Sequence, residues 1–345
     1  MASPDPKALQ HGGALDAAIA RHGGARADWL DLSTGINPTP PCLPHLDPTL
    51  WQRLPEAGLE RDALAAARRC YGAPDTAGIV AAPGTQALIA ALPHLFAPTD
   101  VAILTPTYSE HALTFAAAGH RVTRFEGLEA VSDRARILVV VNPNNPDGRI
   151  FEPAELLALA DRLAARDGLL VVDEAFADVD GSRSLAPCTG RDGLLVYRSF
   201  GKFFGLAGLR LGFALTTPAL ATQFGERLGT WAVSGPALAI GAALLGDDAL
   251  VAETRACILR QQGLLRATLG AVGLPLVGGT GLFATVAHPR AHDLFAALCR
   301  RRILTRPFQT PGDWLRFGNP ADGAAEAARL ETALRAALAE IDGAP

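Results

Sequence analysis

The sequence predicts an α/β protein, with a mainly parallel sheet in a large domain and a smaller α+β domain. Between residues 59 and 215, short apolar runs alternate with helical stretches, and the runs are almost continuously hydrophobic. Such strands are typical of a parallel sheet that helices cover on both faces. After residue 218, longer helices precede short β-like runs. We therefore expect an N-terminal arm that forms part of the small domain (1–50), a large domain (51–218) and a small C-terminal domain (219–345).

The individual elements follow from hydrophobic periodicity and from helix-starting residues. The N-terminal arm is rich in Pro, Gly and His and predicts one short helix, at 14–21. Several later helices begin with a polar residue or proline, as at Thr85 and Ser109. The large domain is predicted to contain helices 59–71, 85–96, 109–118 and 152–166, and strands 79–82, 101–104, 121–125, 137–141, 169–172, 194–197 and 211–215. The small domain is predicted to contain helices 220–231, 236–245 and 248–269, and β-like runs 282–287 and 314–317.

Composition excludes several classes of function. The 345 residues carry 31 Lys and Arg against 35 Asp and Glu, so the chain lacks the basic footprint that nucleic-acid binding requires. The longest apolar runs have the length of strands, whereas a membrane-spanning helix needs about 20 residues. The N-terminus has no basic start followed by an apolar run, so we expect a cytoplasmic protein. Five cysteines without CxxC spacing predict neither a disulfide framework nor a metal site.

Lysine is almost absent from the chain. Among the 31 basic residues only Lys7 and Lys202 are lysines. Because the sequence uses arginine at nearly every other basic position, the lysine at position 202 indicates a chemical function that arginine cannot perform. Lysine can lose its proton and form an imine, whereas arginine effectively cannot. Lys202 also follows the predicted strand 194–197, at the strand end where ligands gather in open α/β sheets.

Other polar residues follow neighbouring strands. Asp173 ends an apolar strand and, once buried, would need a cationic or N–H partner, which a pyridinium nitrogen would provide. Asn145 lies in a turn with two Asn-Pro steps, which holds amide side chains at the sheet edge. Gly84 and Thr85 begin a helix whose free N–H groups suit a phosphate. Tyr108 follows the next strand, where its ring can stack on a planar group.

Together these features describe a planar, phosphorylated pyridine aldehyde bound to lysine, which is pyridoxal 5′-phosphate. The motifs SFGK at 199–202, NNPDG at 144–148 and DEAF at 173–176 resemble the fold-type-I pyridoxal-phosphate enzymes, in the branch that contains histidinol-phosphate aminotransferase. The resemblance covers essentially the whole chain and implies the fold-type-I transferase fold. The stretches HGG at 11–13, DLSTGINP at 31–38 and RSFGKFFGLAGLR at 198–210 are most similar to the threonine-phosphate decarboxylases of cobalamin biosynthesis.

The resemblance implies a role for each motif residue. Lys202 would hold the cofactor through an imine, Asp173 would pair with the pyridinium nitrogen and Asn145 would hydrogen-bond the ring hydroxyl oxygen. Tyr108 would stack on the ring. The cofactor phosphate would be held by Gly84, Thr85, Ser199 and Arg210, with Gln86 beside them.

The resemblance also implies substrate residues and a reaction. Arg316 matches the C-terminal arginine that binds an acidic group of the substrate, and Arg306 is a second anion ligand. Asn37 and His11 are candidates for closing over the substrate. The implied reaction converts O-phospho-L-threonine to (R)-1-amino-2-propanol O-phosphate and carbon dioxide. The alternatives are an aminotransferase for histidinol phosphate or a related amino acid, and a non-enzymatic scaffold that keeps the fold.

Two positions depart from the pattern of these relatives. Phe176 replaces a common tyrosine, so a hydroxyl contact to the ring oxygen would be missing. Leu54 replaces the tyrosine that in relatives reaches the cofactor phosphate of the neighbouring subunit. A homodimer is still implied, because the active site of this fold lies at a subunit interface.

Overall fold

A computed structural model describes residues 12–321 and 323–343 of the protein. The strands are β1 (Leu30–Asp31), β2 (Gly78–Ala82), β3 (Asp100–Leu104), β4 (Arg121–Phe125), β5 (Ile137–Val141), β6 (Leu169–Asp173), β7 (Leu194–Ser199), β8 (Gly212–Thr216), β9 (Leu276–Thr280), β10 (Phe283–Ala287), β11 (Ile303–Leu304), β12 (Arg306–Pro307) and β13 (Trp314–Gly318). The α-helices are α1 (Leu15–His22), α2 (Thr49–Gln52), α3 (Ala57–Tyr71), α4 (Thr85–Ala91), α5 (Glu110–Ala117), α6 (Pro153–Ala164), α7 (Phe200–Phe203), α8 (Pro218–Leu228), α9 (Gly235–Leu245), α10 (Asp248–Ala271), α11 (Ala291–Arg300) and α12 (Ala324–Asp342).

A seven-stranded sheet forms the larger of two compact units. Its strand order is β2-β8-β7-β6-β5-β3-β4. β8 runs antiparallel to both of its neighbours, and the other neighbouring pairs are parallel. Every residue of β5, β6 and β7 is buried, which fits the apolar runs 137–141, 169–172 and 194–197 within these strands. The predicted α/β fold with a mainly parallel sheet is confirmed.

Helices of the large unit cover this sheet and each other. α3 packs against α9, α8 against β2, and α4 against α5. One core cluster combines Phe115 of α5, Tyr197 of β7 and Phe224 of α8. The predicted helix 85–96 ends as an α-helix at Ala91 and continues as a 3₁₀ turn over Leu92–Leu95, since Pro93 cannot donate a backbone hydrogen bond.

The smaller unit has its own sheets and core. A four-stranded antiparallel sheet has the order β12-β13-β10-β9, and the two-residue strands β1 and β11 pair in parallel. The N-terminal arm therefore supplies a strand to this unit. The core cluster includes Leu265 of α10, Leu294 of α11, Phe317 of β13 and Leu334 of α12.

The boundary between the two units lies later in the sequence than the predicted boundary at residue 218. The large unit comprises Pro40–Asn145 and Arg149–Arg255, and the small unit comprises the described residues up to Thr39, Pro146–Gly148 and the described residues from Ala256 onward. The boundary is later because α8 and α9 pack on β2 and α3. Among the described residues, no single helix is long and apolar enough to cross a membrane; α9 and α10, bent by 85°, meet that criterion only as a pair.

Candidate active site

The predicted site residues of the large unit gather at one edge of its sheet. The carboxyl ends of β2, β3, β5, β6 and β7 meet at this edge, because these strands all run in the same direction. β8 runs the other way, so its first residue, Gly212, lies there too. Asp173 and Ser199 are the last residues of β6 and β7. This is the edge at which ligands bind in open α/β sheets.

Asp173 is buried, and two groups hold its carboxylate in place. Its side chain is 5% exposed, Oδ2 lies 2.9 Å from Nε2 of His111, and Oδ1 accepts a hydrogen bond from the Ala175 N–H at 3.0 Å. The His111 ring stacks against the Tyr197 ring, with 6.5 Å between centroids. A buried carboxylate of this kind can receive a hydrogen bond from a cationic ring nitrogen.

His111 is a site residue that the sequence motifs do not predict. The residue lies in the first turn of α5, three positions after Tyr108 and 62 positions before its partner Asp173. Its place at the start of the predicted helix 109–118, shortly after the predicted strand 101–104, was the available signal. The partnership itself depends on the pairing of β3, β5 and β6, which brings the two segments together.

Lys202 lies in the short helix that follows β7. It is half-buried, and Nζ lies 5.8 Å from the ring centroid of Phe176. The helix is fixed by buried aromatic rings: Phe200 and Phe204 lie 4.5 Å apart between centroids, and Phe203 and Phe204 lie 5.0 Å apart. The lysine is therefore carried on a packed segment rather than on a loose loop.

Gly84, Thr85 and Arg210 form a cradle at the same edge. Gly84 has φ +81°, a conformation that favours glycine, and a Cβ added there would lie 2.7 Å from Nη2 of Arg210. A Cβ added at Gly212 would lie 2.6 Å from the Thr85 backbone nitrogen. The backbone at Gly84 and Thr85 thus lies close to the Arg210 guanidinium, in a space that a side chain at Gly84 or Gly212 would fill. This arrangement suits a phosphate group, which accepts hydrogen bonds from N–H groups and arginine.

Tyr108 and Gln86 are linked beside the cradle. The Tyr108 hydroxyl donates to Oε1 of Gln86 at 3.2 Å, and Nε2 of Gln86 donates to Oε2 of Glu110 at 2.9 Å. The Tyr108 and His111 rings meet edge to face at 6.2 Å. The ring of Tyr108 is therefore oriented by contacts on both sides.

The Asn-Pro turn after β5 is rigid, and Asn145 lies buried within it. Its neighbour Asn144 donates from Nδ2 to the Pro106 carbonyl at 2.8 Å and accepts from the Thr107 hydroxyl at 2.7 Å. Asn142 accepts from the Phe151 N–H at 2.9 Å. The two Asn144 bonds tie the turn to the segment after β3, and the Asn142 bond ties it to the residues that follow the turn.

The two arginines predicted to bind the substrate, Arg306 and Arg316, belong to the small unit. Arg306 on β12 lies directly opposite Arg316 on β13. Like charges at opposite positions destabilise a sheet, so the pair is suited to an anionic partner. Arg316 is buried and donates from Nη2 to the Ser33 carbonyl at 2.9 Å. Burial lowers the pKa of Arg316, and the guanidinium of Arg306 lowers it further.

Asn37 is also in the small unit, whereas His11 lies outside the described residues. Asn37 is buried, and its Oδ1 accepts from the Thr39 N–H at 2.9 Å. The Thr39 hydroxyl accepts from Nε2 of the buried Gln261 at 2.9 Å. The segment that carries Asn37 is therefore anchored to α10.

No cluster of His, Cys, Asp and Glu among the described residues has the geometry of a metal site. The charged and polar groups instead match an organic anion with a cationic ring nitrogen. Asp173 supplies the carboxylate, Lys202 the amine, and the cradle around Gly84 the anion contacts. Such a set can hold a phosphorylated pyridine and bind it covalently.

Comparison with known proteins gives the same assignment. The model of the class I and II aminotransferases matches residues 56–334. The chain is 48% identical to a threonine-phosphate decarboxylase from Sinorhizobium sp and 47% identical to one from Pseudomonas aeruginosa; each match covers 94% of this chain and 97% of the relative. The fold is similar to that of a histidinol-phosphate aminotransferase from Sinorhizobium meliloti, solved in complex with pyridoxal-5′-phosphate, with a TM-score of 0.82, 21% identity and 99% of each chain covered. The chain belongs to the class I and II aminotransferase family.

Proposed function

We propose that this protein is a pyridoxal-phosphate-dependent decarboxylase, which converts O-phospho-L-threonine to (R)-1-amino-2-propanol O-phosphate and carbon dioxide in cobalamin biosynthesis. The observation that carries the proposal is the 47–48% identity, over 94% of the chain, to two proteins named threonine-phosphate decarboxylase. The residues at the sheet edge support it, because they include a lysine, a buried aspartate and an anion cradle.

The proposed cofactor residues are those at the sheet edge. Lys202 binds the cofactor aldehyde, Asp173 pairs with the ring nitrogen and Asn145 binds the ring hydroxyl oxygen. Tyr108 stacks on the ring and is oriented for this by Gln86 and His111. The phosphate is held by Gly84, Thr85, Ser199 and Arg210, with Gln86 nearby.

Bound pyridoxal phosphate would supply an electron sink that weakens the bonds at the substrate Cα. Asp173 favours this by keeping a negative charge at the ring nitrogen. His111, hydrogen-bonded to Oδ2 of Asp173, orients that carboxylate. Lys202 is the group proposed to return a proton to Cα after carbon dioxide leaves.

Arg316 and Arg306 are the proposed anion ligands for the substrate. O-phospho-L-threonine carries a carboxylate and a phosphate, and its orientation decides which Cα bond breaks. Contacts that expose the bond between Cα and the carboxylate to the electron sink would favour decarboxylation, whereas contacts that expose the bond between Cα and hydrogen would favour amino transfer. The opposed arginines can bind either group in a bidentate manner. Asn37 and His11 are proposed to close over the substrate.

A homodimer in the cytoplasm is the proposed state of the enzyme. The large unit exposes several apolar side chains that a second copy would cover, among them Trp51 (71% exposed), Leu54 (61%) and Trp231 (60%). None of the five cysteines, which all lie in the described part of the chain, forms a disulfide, and this suits a reducing compartment.

The test is to incubate the cofactor-loaded protein with O-phospho-L-threonine without a keto acid and to measure carbon dioxide and aminopropanol phosphate. The proposal predicts sustained release of both. Turnover only with histidinol phosphate and 2-oxoglutarate would overturn the substrate assignment and favour the aminotransferase alternative. Arg316→Met, with Arg335→Met on the surface of α12 as control, shows whether the small-unit arginine acts on the substrate.

A further inference from the structure

A buried ion cluster lies directly behind the residues of the proposed cofactor site. Arg198 donates from Nη1 to Oε2 of Glu174 at 2.7 Å and from Nη2 to Oδ1 of Asp178. The side chains of Arg198 and Glu174 are 4% and 1% exposed. Glu174 also accepts hydrogen bonds from the Ser184 hydroxyl and the Leu185 N–H. We call Glu174, Arg198 and Asp178 the ion cluster.

The ion cluster joins the ends of two strands that each carry a site residue. Glu174 follows Asp173 at the end of β6, and Arg198 precedes Ser199 at the end of β7. Successive side chains of a strand point to opposite faces of the sheet. Asp173 meets His111 on one face, while Glu174 meets Arg198 on the other.

Disruption of the ion cluster would cost much free energy, because its charges are buried and depend on one another. Burial by itself lowers the pKa of Arg198, but the carboxylates of Asp178 and Glu174 raise it above its ordinary value. Burial raises the pKa of Glu174, and the opposing pull of Arg198 favours its charged form. The Arg198 guanidinium also lies 4.4 Å from the ring centroid of Tyr71. Loss of one partner would leave the others buried and uncompensated.

We propose that the ion cluster is a positioning device for the cofactor: it ties the end of β6 to the end of β7 and so fixes Asp173 relative to the Ser199–Lys202 segment. The inference rests on the proposed function only in taking pyridoxal phosphate as the ligand. Arginine suits this task better than lysine, because its planar group makes two bonds in fixed directions. Glu174, Arg198 and Asp178 are positioning residues, since Asp173 and Ser199 lie between them and the ligand.

The experiment titrates the apoprotein with pyridoxal phosphate and follows the visible absorption band of the cofactor bound to Lys202 across pH. The first variant is Arg198→Lys, which keeps the positive charge but loses the planar guanidinium that bonds two carboxylates at once. The second variant is Glu174→Gln, which keeps the side-chain shape but loses the negative charge. Both are expected to weaken cofactor affinity about tenfold or more, since a displaced Asp173 carboxylate would lose much of its charge-assisted hydrogen bond to the ring nitrogen. Both are also expected to shift the pH midpoint of the band, and to lower kcat with little change in KM for O-phospho-L-threonine.

Thr216→Val is the matched control. The Thr216 hydroxyl is buried and donates to the Leu194 carbonyl at 2.9 Å, at the opposite end of β7. This control is expected to lower Tm while leaving cofactor affinity and the band unchanged. If Arg198→Lys and Glu174→Gln lower Tm as the control does but keep wild-type affinity and band, the cluster is merely structural and the inference is overturned.

Two further results are distinguishable in the same experiment. If Arg198→Lys does not fold, Glu174→Gln and Asp178→Asn decide the question by the same affinity and band criteria. If the wild-type protein binds the cofactor but releases no carbon dioxide, the proposed substrate is wrong, and the titration still decides whether the cluster positions the cofactor.

Discussion

Replacement of Asp173 by asparagine is expected to weaken cofactor binding and slow the reaction without unfolding the protein. The carboxylate is 5% exposed, lies 2.9 Å from His111 and accepts from the Ala175 N–H. Asparagine has nearly the same shape and can keep the bond to Ala175, so the apoprotein should remain folded. What it loses is the negative charge opposite the ring nitrogen. A hydrogen bond to a charged group contributes about 1.5–3 kcal/mol, which corresponds to about 10- to 100-fold in the cofactor Kd.

The assay is an absorbance titration of apoprotein with pyridoxal phosphate, followed by measurement of carbon dioxide release at saturating cofactor. Asp100→Asn is the control, because Asp100 pairs with Arg121 on the surface, where ion pairs contribute about 0–1 kcal/mol. A Kd for the Asp173 variant within about twofold of wild type, with unchanged turnover, would refute the assigned role of the carboxylate.

Three further substitutions or modifications test other parts of the structure. Lys202→Ala should abolish the visible band while the apoprotein keeps its wild-type Tm; a persisting band would mean that another group binds the aldehyde. Gly84→Ala should lower the free energy of unfolding in urea by about 1–3 kcal/mol and weaken cofactor binding, because Gly84 has φ +81° and the added Cβ would lie 2.7 Å from Nη2 of Arg210. Burial raises the pKa of Cys299 to about 12, so at about pH 8 alkylation of the native protein should modify the exposed Cys42 and spare Cys299, with mass spectrometry as the readout.

The fold of the large unit was predictable because its signals are local. β5 and the first four residues of β6 are continuous apolar runs, and helices α4, α5 and α6 separate three pairs of successive strands. The small unit was less predictable. Helices α11 and α12 were not predicted, and β1 pairs with β11, which lies more than 270 residues away and is only two residues long. A strand that short has no periodicity, so only its tertiary partner identifies it.

The candidate site was predictable where chemistry is concentrated in motifs. Lys202 stands out by composition, and Asp173 by its position after a strand. His111 and the ion cluster depend instead on which strands are neighbours: Arg198 contacts Glu174 across 24 residues of sequence. Such pairs are set by sheet order, which no single stretch of sequence contains.

The direction of β8 has a consequence for how the chain delivers its ligand-binding groups. Because β8 runs against β7, the segment from Phe200 to Leu211 begins and ends at the same edge of the sheet. A parallel β8 would instead require the chain to cross to the far edge of the sheet before that strand begins. The antiparallel direction of β8 therefore keeps Lys202 and Arg210 at the same sheet edge, on one connecting segment. Insertion of glycines into this segment should uncouple the proposed attachment of the cofactor to Lys202 from the proposed phosphate contact of Arg210. Each contribution to cofactor binding could then be measured separately.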